Sequence, residues 1–295
     1  MAKASKALRG RMRSVQNTRK ITRTMELVST SKLKRAQDRV IAARPYAAAL
    51  AELIAELVTP ELAEGFPLLR RPAPPEKGGP STAAVLLITS NRGLCGGFNS
   101  NLIKEARRRM EDLERRGYRV DLHLVGRKGV GFFKYLGREI ASQRIDIGDR
   151  PTAAHAAELV SGLIDAYAAG RLASVDVVYA RFNSPLSTPP TTLGVLPVAP
   201  PAPRPGAVRA DYILKPGADA ILTQLLPLYV RNQVYRGLVE TAAAEHGARR
   251  TAMKNATDNA GEIYDVLRRT YNRQRQAAIT QEIAEIVGGA AALEG

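Results

Sequence analysis

Both ends of this 295-residue chain are long, poor in proline and built from helix formers, and no other feature limits the fold so strongly. From Lys3 to Arg44 there is no proline and a single glycine, Gly10. Ala, Lys, Arg, Leu, Met and Gln dominate, residues that lose little conformational freedom in a helix. Leu8, Met12 and Val15 step by four and three, as do Ile21, Met25 and Val28, and Ala36 and Val40 extend the same face. Arg19, Thr22 and Lys32 interrupt this stripe, so one partner can cover only a narrow strip. A kink is expected at Pro45, with helix continuing from Tyr46 to Val58 as far as Thr59-Pro60. After Pro227 no further proline occurs, and Val230, Val234 and Leu238 lead into Ala242, Ala252 and Ala256. Ile263, Val266, Leu267, Tyr271, Ala278, Ile279 and Ile286 then resume the three-four spacing. At 1.5 Å per residue such helices reach roughly 80 to 100 Å, against about 30 Å for a small domain, so they project beyond any domain this chain can build.

Between the helices the pattern changes. Residues 60–82, rich in Pro and Gly, read as a linker following an N-terminal helix over 1–59. Ala83 to Thr89 is a continuous apolar run of the kind found in buried parallel strands, followed by helix from about Asn99 to Arg116. Arg119 to Val125 and Val175 to Phe182 read as further strands, with helices over Arg127 to Leu136 and Ala153 to Ala169. Alternation of this kind implies a Rossmann-like α/β domain with a mostly parallel sheet, placed at 83–215, before a C-terminal helix over 216–295. Residues 187–206 are too proline-rich for a central strand and read as an exposed loop around one edge segment.

The net charge of +16 is unevenly distributed. Residues 1–44 carry 13 Lys/Arg against Glu26 and Asp38, a net +11, whereas residues 228–295 carry nine basic and eight acidic groups, a net +1. The first helix is therefore a basic cylinder suited to a polyanion or an acidic protein cavity. It lacks the interleaved aromatics with which proteins stack nucleic-acid bases, which argues against a nucleic-acid binder. No run of about 18 apolar residues is present, so no membrane span is expected, and the start lacks the apolar core of a secretory signal. The single cysteine, Cys95, rules out an internal disulfide framework and fits a reducing compartment.

Residues 89–99 (TSNRGLCGGFN) stand where a phosphate-binding loop would follow the first strand, but the spacing matches neither GxGxxG nor GxxxxGK[ST]. A tight turn with close backbone packing is the expected role of these glycines. His123, His155 and His246 lie on separate elements without a second ligand at metal spacing, so no metal is expected. No paired carboxylates or activated nucleophile can be found, and neither a cofactor nor a catalytic residue is assigned.

Residues 245–260 (EHGARRTAMKNATDNA) and 271–293 (YNRQRQAAITQEIAEIVGGAAAL) closely resemble the gamma subunits of F-type ATP synthases. So do 16–37 (QNTRKITRTMELVSTSKLKRAQ), 43–47 (ARPYA) and 90–99 (SNRGLCGGFN), in the family's order, so the resemblance runs end to end. Two positions depart from the usual pattern: Asn91 where relatives usually have Asp, and Arg250 where they usually have Met. The resemblance implies that the terminal helices form a left-handed antiparallel coiled coil inside a hexamer of alpha and beta subunits. It implies an α/β domain below, bound to the epsilon subunit and the ring of c subunits, and leaves open whether an inhibitor protein binds at the foot. The function implied is that of a non-catalytic rotor shaft, coupling proton-driven rotation of the ring to conformational change at the sites of ATP synthesis and hydrolysis. By the same analogy Met25 and Lys32 meet the lever loop, and Arg275, Gln276 and Thr280 form the upper catch contact. A peripheral location on the cytoplasmic face of a bacterial inner membrane follows, and the leaderless start fits a bacterial chain better than a mitochondrial precursor.

Overall fold

The long helices come from burial as much as from propensity. In the computed structural model, which describes residues 2–58, 64–78, 81–199 and 217–293, α1 runs over Ala2–Leu57 and α5 over Ala218–Leu293. Pro45 lies inside α1 and Pro227 inside α5, and neither ends its helix. A proline in a helix interior costs about 3 kcal/mol through its missing N–H and the clash with the preceding turn. Buried side chains on either side offset this: Val40, Ala47, Leu50 and Ile54 around Pro45, Leu222, Leu226 and Val230 around Pro227.

The chain divides into two compact units that share both long helices, Met1–Ser29 with Arg250–Gly295, and Thr30–Arg249. In the first, α1 and α5 are paired. Arg9 meets Tyr271, Arg19 lies against Gly261, and Thr22 bonds Thr257, so the two numbers of each pair add to 279 or 280. A constant sum is the mark of antiparallel helices in one register. The covered positions on α5 include Met253, Thr257, Ala260, Tyr264, Leu267 and Tyr271, alternating steps of four and three. On α1 they include Leu8, Met12, Val15, Thr22 and Ser29. This is a 3.5-residue period, which winds two helices left-handedly.

The second unit is an α/β domain with the remaining parts of both helices. Its strands are β1 (Thr82–Ile88), β2 (Arg119–Val125), β3 (Ser142–Arg144), β4 (Ser174–Ala180) and β5 (Pro190–Leu196), in the order β3-β2-β1-β4-β5. All neighbours are parallel except β4 and β5. The helices α2 (Phe98–Arg115), α3 (Arg127–Tyr135) and α4 (Ala153–Ala168) connect them. Strict alternation sorts the side chains of β1. Ala84, Leu86 and Ile88 face a core with α4, Ile54 of α1 and Leu222 to Leu238 of α5, whereas Ala83, Val85 and Leu87 face α2 and α3.

The strand and helix expectations hold to within about two residues. β3 is not anticipated because it is three residues long and polar, with no apolar pattern to announce it. The edge segment expected in the proline-rich stretch is β5, whose Pro190 occupies the first strand position, where a missing N–H is tolerated. Residues 200–206 of that stretch lie outside the described residues.

Candidate functional site

At the carboxyl ends of the strands, where an α/β sheet normally receives its ligand, this chain uses its own side chains. Strand order reverses between β1 and β4, and α5 crosses there. Gly237 lies against Ile88 and Tyr179, the Ala180 amide donates to the Thr241 hydroxyl (3.2 Å), and the Phe182 amide donates to the Glu240 carboxylate (3.1 Å). The first amides of α3, which would otherwise attract phosphate, are also taken. Arg127 N–H donates to Asn91 Oδ1 (3.0 Å), Lys128 N–H to the Ser90 carbonyl (3.1 Å) and Gly129 N–H to the Thr89 hydroxyl (3.0 Å). The 89–91 run is thus a helix cap, which explains why the glycine-rich loop lacks nucleotide-binding spacing. It requires Gly126, with φ +96°, where any Cβ would collide with the Thr89 carbonyl.

Beside this cap is a cavity of about 310 Å³, lined in part by Asn91, Asp149 and Glu245. Asp149, on the turn before α4, receives contacts from both long helices. Lys32 of α1 forms an ion pair with its Oδ2, Arg39 of α1 donates to its main-chain carbonyl (2.9 Å), and His246 Nε2 of α5 approaches Oδ1 at 3.6 Å. Arg249 donates to the main-chain carbonyls of Arg92 and Gly93 (3.3 and 3.2 Å) and pairs with Glu245 (2.6 Å). An Arg249 N–H also faces His246 Nδ1 at 3.4 Å, which makes Nδ1 the acceptor and leaves the proton on Nε2, facing Asp149.

His246 is 2% exposed. Burial, opposed by Asp149 but reinforced by the nearby cations Arg249, Lys32 and Arg39, pushes its pKa down to about 4, so the ring is neutral at pH 7. Its approach to Asp149 is therefore not an ion pair. Burial raises the pKa of Asp149, but hydrogen bonding from Lys32, with the nearby positive charges, outweighs it, and the carboxyl titrates below its usual range. The Lys32–Asp149 ion pair is accordingly intact at neutral pH.

The other histidines have structural partners: His123 Nδ1 meets the Ser142 hydroxyl (2.6 Å) between β2 and β3, and His155 completes a capping box with Thr152 at the start of α4. Among the described residues no group of three or more His, Cys, Asp or Glu side chains could hold a metal. No described helix is long and apolar enough to cross a membrane.

The residues assigned to partner contacts by resemblance fall in two places. Met25 is half-buried in the two-helix unit, and Lys32 belongs to the α/β unit, where Asp149 already engages it. Arg275, Gln276 and Thr280 share one stretch of α5 and are all exposed. Their surroundings on α5 are set by the helix register. In the register of pairs such as Thr22 with Thr257, Ala2 at the start of α1 stands opposite about Ala278. Ile279, Ile283, Ile286 and Val287 are 48, 55, 71 and 62% exposed and lie on one face.

A family model described as ATP synthase matches residues 4–293. Over the full length of both chains the sequence is 64% identical to an ATP synthase gamma chain of Gemmatimonas aurantiaca. The chain belongs to the ATP synthase gamma-chain family. A gamma chain from Pelotomaculum thermopropionicum is 42% identical, with 97% of this chain and 98% of that one covered. Among solved structures, a chain in the Euglena gracilis mitochondrial ATP synthase, described as OSCP/F1/c-ring in rotational state 3, superposes with a TM-score of 0.71. It is 17% identical, and the match covers 99% of this chain and 95% of that chain, so the fold persists where sequence does not.

Asn91 and Arg250, the two positions read from the sequence as unusual for the family, have structural settings. Asn91 accepts from Arg127 N–H and donates through Nδ2 to the Ile147 carbonyl (2.8 Å), a pairing that an ionised Asp could only half reproduce. Arg250 continues the α5 seam one step before Met253, where the register sets it opposite the small, buried Ser29. Sequence reasoning did not find Asp149, because Lys32 is 117 residues away and no local pattern links them.

Proposed function

We propose that this gamma chain is the central shaft of a rotary ATP synthase, seated in the cavity of a hexamer of alpha and beta subunits and carried round by the c ring. The observation that carries this reading is the apolar, exposed stretch of α5 from Ile279 to Val287. Four large aliphatic side chains on one exposed face are unfavourable in water, at about 25 cal/mol per Å² of apolar surface, and favourable inside a surrounding protein sleeve. The basic α1, at a net +11 over residues 1–44, would be drawn to an acidic lining. Contacts between exposed charges, worth about 0 to 1 kcal/mol each, would not lock it in one orientation.

In this reading the chain makes and breaks no bond of ATP. It presents a different face to each beta subunit in turn and so shifts that subunit between conformations by differential contact energy. Met25 and Lys32 would meet the lever loop, and Arg275, Gln276 and Thr280 the catch. Lys32 can serve although paired with Asp149, because an ammonium has three donors. The α/β unit would bind the epsilon subunit and the c ring, at the cytoplasmic face of a bacterial inner membrane. The test is to assemble the chain with alpha and beta subunits, attach a probe to the α/β unit and add ATP. Stepwise rotation is expected, and a static probe on an ATP-hydrolysing complex overturns the reading.

A further inference from the structure

Rotation delivered to the α/β unit must enter α1 and α5, yet the main chain joins them only through the segments after Leu57 and before Ala218. The load therefore crosses side-chain contacts. Much of that contact is apolar packing, which is non-directional and resists sliding poorly. Directional contacts resist it better: α5 makes several, from Thr241, Glu240 and Arg249, whereas those described for α1 converge on one residue that α5 also touches. Asp149 holds Lys32 through its carboxylate, Arg39 through its carbonyl, and lies against His246, so one turn touches both helices. The turn is itself tied down: Asn91 donates to the Ile147 carbonyl and accepts from the first amide of α3. A continuous polar path therefore runs from the body of the sheet through Asn91 and the 147–149 turn to Lys32, Arg39 and His246.

We propose that Asp149 is a positioning residue for rotary coupling, the point at which the α/β unit grips both shaft helices against twisting, with Asn91 anchoring its turn. The proposal rests on the shaft reading. It predicts that loosening either residue softens the shaft, and because Asn91 does not touch Lys32, Asn91→Asp separates this softening from any change at the lever-loop contact assigned to Lys32.

The experiment uses the complex with alpha and beta subunits, a bead on the α/β unit, and the angular variance of the bead during the pause before ATP binds. Asp149→Asn, which removes the charge, should raise that variance about twofold, and Asn91→Asp, the residue usual among relatives, should raise it less. Tyr135→Ala, at a 91% exposed position outside the network, should leave it unchanged. Asn91→Asp keeps the proposal testable if Asp149→Asn does not assemble. Wild-type variance in both assembled variants, or in Asn91→Asp alone if only it assembles, overturns the proposal while leaving the shaft reading in place. Absence of rotation in the parent complex overturns the shaft reading itself.

Discussion

Gly126 should be the least replaceable residue of the α/β unit. Its φ of +96° with ψ of 141° is available to glycine and costs other residues about 1 to 3 kcal/mol. An alanine Cβ would stand 2.2 Å from the Thr89 carbonyl oxygen, 2.6 Å from its carbon and 2.7 Å from its hydroxyl. Ordinary contact begins near 3.4 Å, so the turn would have to withdraw by about 1 Å from the end of β1. Withdrawal strains the Thr89 N–H bond to the Val125 carbonyl and the Gly126 N–H bond to the Arg144 carbonyl, each 2.8 Å. With about 1 kcal/mol for each of two lost bonds added to the backbone term, Gly126→Ala should cost about 4 kcal/mol. Two glycines in α3 supply the scale. At Gly129 a Cβ meets the Thr89 hydroxyl at 3.0 Å and its methyl at 3.2 Å, so Gly129→Ala should be mild. At Gly131 nothing lies within 4 Å, and Gly131→Ala should stabilise by up to about 1 kcal/mol through helix propensity. Urea unfolding of the full chain, with amide exchange read at β1 and β2, should rank the variants in that order. A Gly126→Ala protein within about 1 kcal/mol of the parent would refute the steric reasoning.

Three further outcomes are expected. His246 has a folded pKa of about 4 against 6.5 for the free side chain, so between those values the unfolded chain binds more protons and stability falls as pH falls. The loss from pH 7 to 5 is about 2 kcal/mol, and His246→Gln should remove that part of the slope in urea midpoints; an unchanged slope would locate the titration elsewhere. In the coiled coil, Thr22→Val or Thr257→Val alone should cost about 1 kcal/mol for the lost bond, because the remaining hydroxyl still donates to a carbonyl of its own helix (Met253 for Thr257, Arg19 for Thr22), and the double variant should cost less than their sum; strict additivity in thermal melts would mean that the 2.8 Å bond between them carries no coupling. Ile283→Asp with Ile286→Asp should leave the isolated chain as stable as the parent, since both side chains are exposed, yet impair assembly with alpha and beta subunits; normal assembly and rotation would contradict the sleeve reading.

How much could be read in advance depended on how local each determinant is. The strand and helix segments were legible because apolar alternation and three-four spacing are written in consecutive residues. The seam of α5 was legible only in part: Leu267 and Tyr271 lie on it, but Ile263 and Val266 are exposed, and Met253, Thr257, Ala260 and Tyr264 form the rest, because several of the covered positions are small or polar and carry no apolar signal. The assignment of partner contacts to Met25, Lys32, Arg275, Gln276 and Thr280 rests only on family resemblance, and the engagement of Lys32 by Asp149 was visible in neither pattern nor resemblance.

By itself the sequence determined two long helices of unequal charge and an α/β domain between them. Proline-free length, side-chain periodicity and ionisation are properties of residues and their near neighbours. Only the tertiary structure decided the antiparallel register of the long helices, the filling of the sheet's ligand crevice by Thr241 and Glu240, and the meeting of Lys32, Asp149 and His246. Each of those depends on groups far apart in the chain. Which of them come together is decided by the free energy of packing the whole domain, not by local preference.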